Sequence, residues 1–155
     1  MILKVNNFLV QLENDFPSLV FKESADFAWQ ADSQTVRYNP KADHWQWLLL
    51  HEVGHAGLGH AGYKSDLELI RLESEAWEYA KKHLAPKYGA DISDAFIEDH
   101  KDSYREWLHK RSQCPKCGYG GWQTGPDHYK CPSCFSAWKV NSDKFKHVYR
   151  RLNKK

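Results

Sequence analysis

Residues 51–60 read HEVGHAGLGH, and their histidines and glutamate have the types and spacing of a metal site. Helical positions four residues apart share a face, so His51 and His55 point the same way and both imidazoles are able to reach one zinc ion. Zinc lowers the pKa of a bound water from about 15.7 to about 7, so that the neighbouring Glu52 is able to take its proton. The pattern therefore predicts metal-assisted hydrolysis with Glu52 as the catalytic base.

A catalytic zinc needs a third protein ligand, and the sequence offers three candidates. His60 is the local one, although the extended form of the motif requires a histidine at the position of Ala61. The next predicted helix supplies Glu73 and Glu75. Glu73 falls on the apolar face of that helix, where a carboxylate is costly unless it is paired or bound to a metal. Glu73 is therefore the favoured ligand, followed by Glu75 and then His60.

A second metal site is predicted in residues 114–134, which read CPKCGYGGWQTGPDHYKCPSC. Two Cys-x-x-Cys pairs separated by thirteen residues are typical of a tetrahedral four-thiolate zinc site. Such a site is closed, so its zinc is structural and the segment is similar to a zinc ribbon. Its four ligands are predicted to be Cys114, Cys117, Cys131 and Cys134.

The elements that must position these residues are short. Two or three strands are predicted over residues 19–24, 26–30 and 34–40, and hydrophobic periodicity predicts helices over 5–15, 44–60, 66–84 and about 91–111. Asp43 is predicted to cap the helix that carries the histidines, and Ser65 or Asp66 the next. A hairpin is predicted between the cysteine pairs, and a short basic helix or a frayed end after them.

The two helices together resemble a known class of enzyme. HEVGHAGLGH followed by LESEAWEYA is similar to the gluzincin pattern of HExxH plus a downstream ExxA, and above all to the ImmA/IrrE-type metallopeptidases. The resemblance implies a zincin-like fold, zinc ligands at His51, His55 and Glu73, Glu52 as the base, and the strand QTVRYNP at the edge of the sheet over the cleft. Trp77 stands where the family often has Asn or Asp. A helix pair followed by a zinc ribbon also resembles the SprT-like proteases.

Charge is distributed unevenly along the chain. Residues 1–100 carry 9 Lys/Arg and 16 Asp/Glu, whereas residues 101–155 carry 13 and 4. The basic part predicts a nucleic-acid partner as one possibility and a solvated surface as the other. Candidate base-stacking aromatics are Trp122, Tyr129, Phe135 and Trp138. Candidate phosphate contacts are Lys116, Lys130, Lys139, Lys144, Lys146, Arg150, Arg151, Lys154 and Lys155. With no apolar run that spans a bilayer and no signal peptide, a cytoplasmic location without membrane contact is expected.

These inferences combine into one interpretation. The fold class is α+β, with a small antiparallel sheet packed on an active-site helix pair and a C-terminal zinc ribbon. The domains are a zincin-like metallopeptidase over residues 1–112, a zinc ribbon over 113–140 and a basic tail over 141–155. The expected activity is zinc-dependent hydrolysis of a protein or peptide, with two zinc ions. The alternative is a non-catalytic nucleic-acid-binding or regulatory protein whose HExxH metal is structural or vestigial.

Overall fold

The computed structural model describes residues 2–144 and 146–154, and the side chains from Asn7 onward within that range. Over these residues the chain is α+β, with four α-helices and two small sheets. The helices are α1 (Ile2–Asp15), α2 (Trp45–Gly57), α3 (Asp66–Tyr79) and α4 (Asp94–Ser112). The strands are β1 (Val20–Glu23), β2 (Ala28–Gln30), β3 (Thr35–Tyr38), β4 (Trp122–Gly125), β5 (His128–Lys130), β6 (Ala137–Val140) and β7 (Arg150–Leu152). No helix among the described residues is long and apolar enough to cross a membrane.

The chain forms two compact units. Unit 1 comprises the chain up to Ala61 together with Leu72–Asp94, and unit 2 comprises Gly62–Arg71 and the chain from Ala95 onward. The division falls within α3, and α4 belongs to the same unit as the cysteines. The predicted boundary between residues 112 and 113 therefore falls inside unit 2.

The sheet of unit 1 is mixed, so the prediction of an antiparallel sheet was wrong for one of its two strand pairs. Its order is β1-β3-β2, with β3 parallel to β1 and antiparallel to β2. The outer strands β1 and β2 lie two strand spacings apart, about 9.6 Å, which the four-residue link 24–27 spans. After this short link β2 runs in the direction opposite to β1. β3 then lies between them, antiparallel to β2 and therefore parallel to β1.

The position of β3 also corrects the expectation that QTVRYNP forms an edge strand. Val36 is fully buried and Tyr38 is 6% exposed, because β3 has a neighbour on each side. The edges belong to β1 and β2. Of these, β2 supplies contacts to the candidate site described below.

Helix α2 begins one residue later than Asp43 would place it. The N-cap is His44, in the left-handed conformation at φ 55°, with no side-chain cap hydrogen bond, so the prediction of Asp43 as the cap was wrong. α3 is capped as predicted by Ser65, whose hydroxyl accepts a hydrogen bond from the backbone N–H of Glu68 at 3.2 Å. After α3 the chain widens into a π-helical turn (Ala80–Leu84) and then tightens into a 3₁₀ turn (Ala85–Tyr88).

Helices α2 and α3 make a close backbone contact. A Cβ atom on Gly54 would lie 2.7 Å from the carbonyl oxygen of Ala76, a separation that real Cβ atoms do not adopt. Gly54 and Ala76 are both buried. Small residues at this crossing therefore set the distance between the two helices.

Unit 2 contains a four-stranded antiparallel sheet of order β4-β5-β6-β7. Its core consists of Tyr129, Trp138 and Val140 with Cys114 and Cys131. β7 pairs with β6, so the prediction of a helical or frayed basic end was wrong for residues 150–152. Strand β6 has backbone N–H and C=O groups on the edge that faces away from β5. The chain forms a strand at residues 150–152 because it pairs with these groups.

We predict that Gly54→Ala destabilises unit 1 and weakens its metal binding. Alanine favours a helix over glycine by about 1 kcal/mol, but overpacking against a backbone oxygen costs about 1–3 kcal/mol and forces α3 outward. Chemical denaturation and zinc titration measure the two effects. Gly57→Ala is the control, because its Cβ would meet only the ring of Tyr79, at 3.2 Å. Equal stability of the two variants would contradict the importance of the contact.

Candidate metal centres

Helix α2 holds the two histidines of the HExxH motif on its buried face. Leu50 and Val53 are fully buried beside them and anchor that face in the core. His51 is 4% and His55 8% exposed, and their Nε2 atoms lie 3.2 Å apart. One helical turn of spacing thus directs two imidazole nitrogens to the same point.

Helix α3 brings Glu73 to that point. One carboxylate oxygen of Glu73 lies 2.9 Å from Nε2 of His51, and the other lies 3.1 Å from Nε2 of His55. Glu73 is 5% exposed, as its place on the apolar face of the helix predicts. Glu75 is half-buried and Glu78 is exposed, and neither belongs to this three-residue group.

His51 is oriented by an aromatic ring. Its imidazole stacks on Trp77 with ring centroids 4.1 Å apart and an angle of 16° between the planes. Trp77 is 1% exposed and follows Ala76 on α3. This residue, noted in the sequence only as a departure from the ImmA/IrrE pattern, is a part of the site that sequence reasoning missed.

Burial and charge act in opposite directions on the pKa of Glu73. Burial alone would raise it, but the charges and hydrogen bonds of His51 and His55 outweigh burial and hold the pKa well below its usual range. Burial likewise lowers the pKa of His55, and the contact with Glu73 more than reverses this. The ionised carboxylate of Glu73 therefore favours a positive charge at this point, either a proton on His55 or a metal cation that replaces that proton.

Glu52 has a different environment from Glu73. Burial raises the pKa of Glu52 to about 7, and the charge of Glu73 adds to the rise. The charge of His55 and a hydrogen bond from the backbone N–H of Trp29 on β2 act against it. Glu52 is thus held beside the site by the edge strand, with a proton affinity suited to accepting and returning a proton near neutral pH.

The three donors of unit 1 fit a divalent metal. Ligand atoms of His51, His55 and Glu73 all lie within 4.8 Å of one another, and all three residues are buried. Two imidazole nitrogens and one carboxylate form the donor set of many catalytic zinc sites. Because zinc in proteins takes four ligands, this set leaves one position open.

The four cysteines of unit 2 form a separate cluster. The Sγ atoms of Cys114 and Cys134 lie 3.6 Å apart, as do those of Cys117 and Cys131. A disulfide requires about 2.05 Å, whereas thiolates around a tetrahedral zinc at about 2.3 Å lie roughly 3.8 Å apart. The four cysteines are free, and all their Sγ atoms lie within 4.8 Å of one another. The cluster fits a four-thiolate metal site.

The pKa values of two thiols point to the same conclusion. Hydrogen bonds with the side chain and backbone of Ser136 lower the pKa of Cys134 to about 6. A backbone hydrogen bond from Tyr119 acts to lower the pKa of Cys117, but desolvation and the three neighbouring thiols raise it to about 11. All four thiols are able to ionise together only if a cation compensates their charge.

The candidate stacking aromatics of unit 2 divide into two groups. Tyr129 is 1% and Trp138 0% exposed, so both belong to the core, and their prediction as base-stacking residues was wrong. Trp138 also donates its indole N–H to the carbonyl of Arg111 at 2.9 Å. Trp122 is 46% and Phe135 71% exposed, so both remain accessible. The predicted phosphate contact Lys155 lies outside the described residues.

We predict that the chain binds two zinc ions, one at each centre. Cys114→Ser combined with Cys131→Ser should reduce the count to one, and Glu73→Ala should independently remove the other, because each change deletes ligands of one centre alone. Inductively coupled plasma mass spectrometry measures the number of zinc ions bound per chain. Glu78→Ala is the control for Glu73→Ala, since its side chain is exposed on the same helix. A single ion in the wild-type chain would contradict the assignment.

Comparisons with known protein families, with curated proteins and with solved structures find no match to this chain. The resemblances to ImmA/IrrE-type metallopeptidases and to SprT-like proteases therefore remain predictions, which rest on the motifs alone.

Proposed function

We propose that unit 1 is a zinc-dependent metallopeptidase with a zincin-like arrangement of its helix pair and sheet. The observation that carries this proposal is the three-donor group of His51, His55 and Glu73, with Glu52 close enough to feel the charges of His55 and Glu73. Four thiolates close the metal centre of unit 2, whereas three donors leave room for a substrate in unit 1. A buried group with an open position and an adjacent proton acceptor favours hydrolysis over a structural role.

The chemistry depends on the contrast between the two carboxylates. When bound, zinc supplies Lewis acidity that polarises a peptide carbonyl and makes water a stronger acid. Glu73 stays ionised between the histidines and holds the metal. Glu52, with its higher pKa, accepts a proton from the attacking water and delivers it to the departing amine. His51 and His55 remain fixed by their packing on α2 and α3.

A cavity near the end of α2 is the candidate substrate subsite. Its volume is about 210 Å³, and its lining residues are Leu58, Glu75, Glu78, Tyr79, Lys82 and His83. The rings of Tyr79 and His83 are in contact there, with centroids 5.1 Å apart. We infer that Tyr79 and His83 are candidates for stabilising the oxyanion, because both side chains line this cavity.

We predict that Glu52→Gln keeps zinc and fold but abolishes peptide hydrolysis. The amide preserves the shape of the side chain and cannot accept the proton, and loss of general-base catalysis typically costs about 10²–10⁴-fold in rate. Cleavage of a peptide library, followed by mass spectrometry, is compared between wild type and variant. Glu23→Gln, an exposed carboxylate of β1 outside this cavity, is the matched control and should retain activity.

Hydrolysis by Glu52→Gln at the wild-type rate would contradict the assigned mechanism. If the wild-type chain binds zinc in unit 1 and cleaves no peptide, the alternative of a structural or vestigial HExxH metal replaces the peptidase.

A second candidate function is nucleic-acid binding by unit 2. A cavity of about 430 Å³ lies between α4 and the segment before β7, and four basic side chains line it: Lys110, Lys144, Lys146 and Arg150. Glu106 is the one carboxylate among its described lining residues. Arg150 donates to the carbonyl of Gln113 at 2.9 Å, a neutral acceptor that leaves its positive charge in place. Phosphate groups suit such a cavity.

We predict that the chain binds a single-stranded oligonucleotide and that Lys110→Glu weakens this binding. Loss of one phosphate contact should lower the slope of log affinity against log salt by about 1. Trp122→Ala should reduce affinity more for single strands than for duplex, because only unstacked bases are able to stack on the indole ring. Fluorescence anisotropy at several salt concentrations measures both. Lys22→Glu, an exposed lysine of β1, is the control, and absence of binding at low salt would refute the proposal.

A further inference from the structure

His60 lies directly behind one of the metal-binding histidines. Its Nδ1 is 2.9 Å from Nδ1 of His55, and the Nε2 atom of His55 points to Glu73 and His51. The two nitrogens of the His55 ring thus face different partners. His60 is on the side away from the three donor atoms, which separates it from the metal-binding group in which it had been a candidate ligand.

The second nitrogen of His60 faces a carboxylate. Its Nε2 lies 3.3 Å from an oxygen of Glu75, whose side chain is 41% exposed, while the side chain of His60 is only 10% exposed. A series of contacts therefore runs from Glu75 at the surface through His60 to His55. Glu75, the other candidate ligand from the sequence, also lies one step removed from the metal-binding group.

The contacts allow one consistent set of hydrogen positions for a metal-bound His55. A histidine that binds a metal through Nε2 carries its proton on Nδ1 and donates it to a partner. Nδ1 of His60 is then the acceptor, so the proton of neutral His60 resides on Nε2 and is donated to Glu75. Each ring has one tautomer in this series, and the carboxylate at its end selects both.

The backbone of His60 is held in place at two points. Its carbonyl accepts the indole N–H of Trp29 at 2.7 Å, and its own N–H donates to the carbonyl of His55 at 3.0 Å. Gly59, at φ 69°, turns the chain out of the helix just before it. The backbone position of His60 therefore follows from the end of α2 and from β2, and does not depend on the contact between the rings of His60 and His55.

We infer that His60 is a positioning residue that holds His55 in its metal-binding orientation and tautomer, with Glu75 fixing the tautomer of His60. The inference rests on the metal site of the proposed function, but not on peptide hydrolysis. The third histidine of HEVGHAGLGH thus supports a metal ligand by a hydrogen bond and does not bind the metal itself. Hydrogen-bond partners of this kind typically contribute about 10- to 100-fold to metal affinity.

The test compares zinc affinity of the full chain with that of variants, by competition with a chelator while the thiolate-bound ion is retained. His60→Ala should bind the unit 1 zinc about 10- to 100-fold more weakly at unchanged maximal stoichiometry. His60→Gln should recover part of the loss, since its amide oxygen is able to accept the proton of His55. Glu75→Gln should change affinity by a few-fold at most, because its side chain is partly exposed. His109→Ala, an exposed histidine of α4 outside the series, should have no effect.

A second measurement covers the case in which His60→Ala fails to fold. Long-range ¹H–¹⁵N spectra of the zinc-loaded wild-type chain should show His55 protonated at Nδ1 and His60 protonated at Nε2. Unchanged affinity in folded His60→Ala, or a His60 ring protonated at Nδ1, overturns the inference alone. A wild-type chain that holds only the thiolate-bound ion overturns the metallopeptidase proposal together with it.

Discussion

The contact between Gly54 and the carbonyl of Ala76 is the constraint on which the candidate site depends. Two helices with ordinary side chains at their crossing pack with their axes about 8–10 Å apart. Here the absence of a Cβ allows the backbone of α3 to approach that of α2 directly. Glu73 lies one turn before Ala76, and His51 and His55 lie one turn before and one residue after Gly54. The close approach at the crossing is therefore what places a short carboxylate against both imidazoles.

The buried ligand side chains of the two candidate metal centres are stabilised in different ways. In unit 1 a buried carboxylate is stabilised by two histidines, and each histidine has its own support: Trp77 stacks on His51, and His60 contacts His55. A zinc ion held by these three donors would keep one coordination position open. In unit 2 four thiols converge on one point, and Cys114 and Cys131 belong to the same buried cluster as Tyr129 and Trp138. The first arrangement suits chemistry and the second suits stability.

Much of the site follows from the sequence, because helical spacing and burial are local properties. The i, i+4 histidines and the carboxylate on the apolar face of α3 were predicted from these rules alone, and the cysteine pairs from their spacing. Properties that depend on tertiary packing were not predictable in this way. The parallel pairing of β1 with β3 depends on which strand returns to the centre of the sheet, and the burial of Tyr129 depends on which side of a small sheet carries the core. The place of His60 depends on Trp29, thirty-one residues away in sequence.

The most direct test of the central claim is a crystal structure of the zinc-loaded chain with anomalous diffraction recorded at the zinc absorption edge. The account predicts one anomalous peak among the four cysteine sulfurs and a second among Nε2 of His51, Nε2 of His55 and the carboxylate of Glu73. In the second site His60 should contact His55 and not the metal. A peak coordinated by His60 or Glu75 in place of Glu73, or the absence of any peak between α2 and α3, would contradict the account.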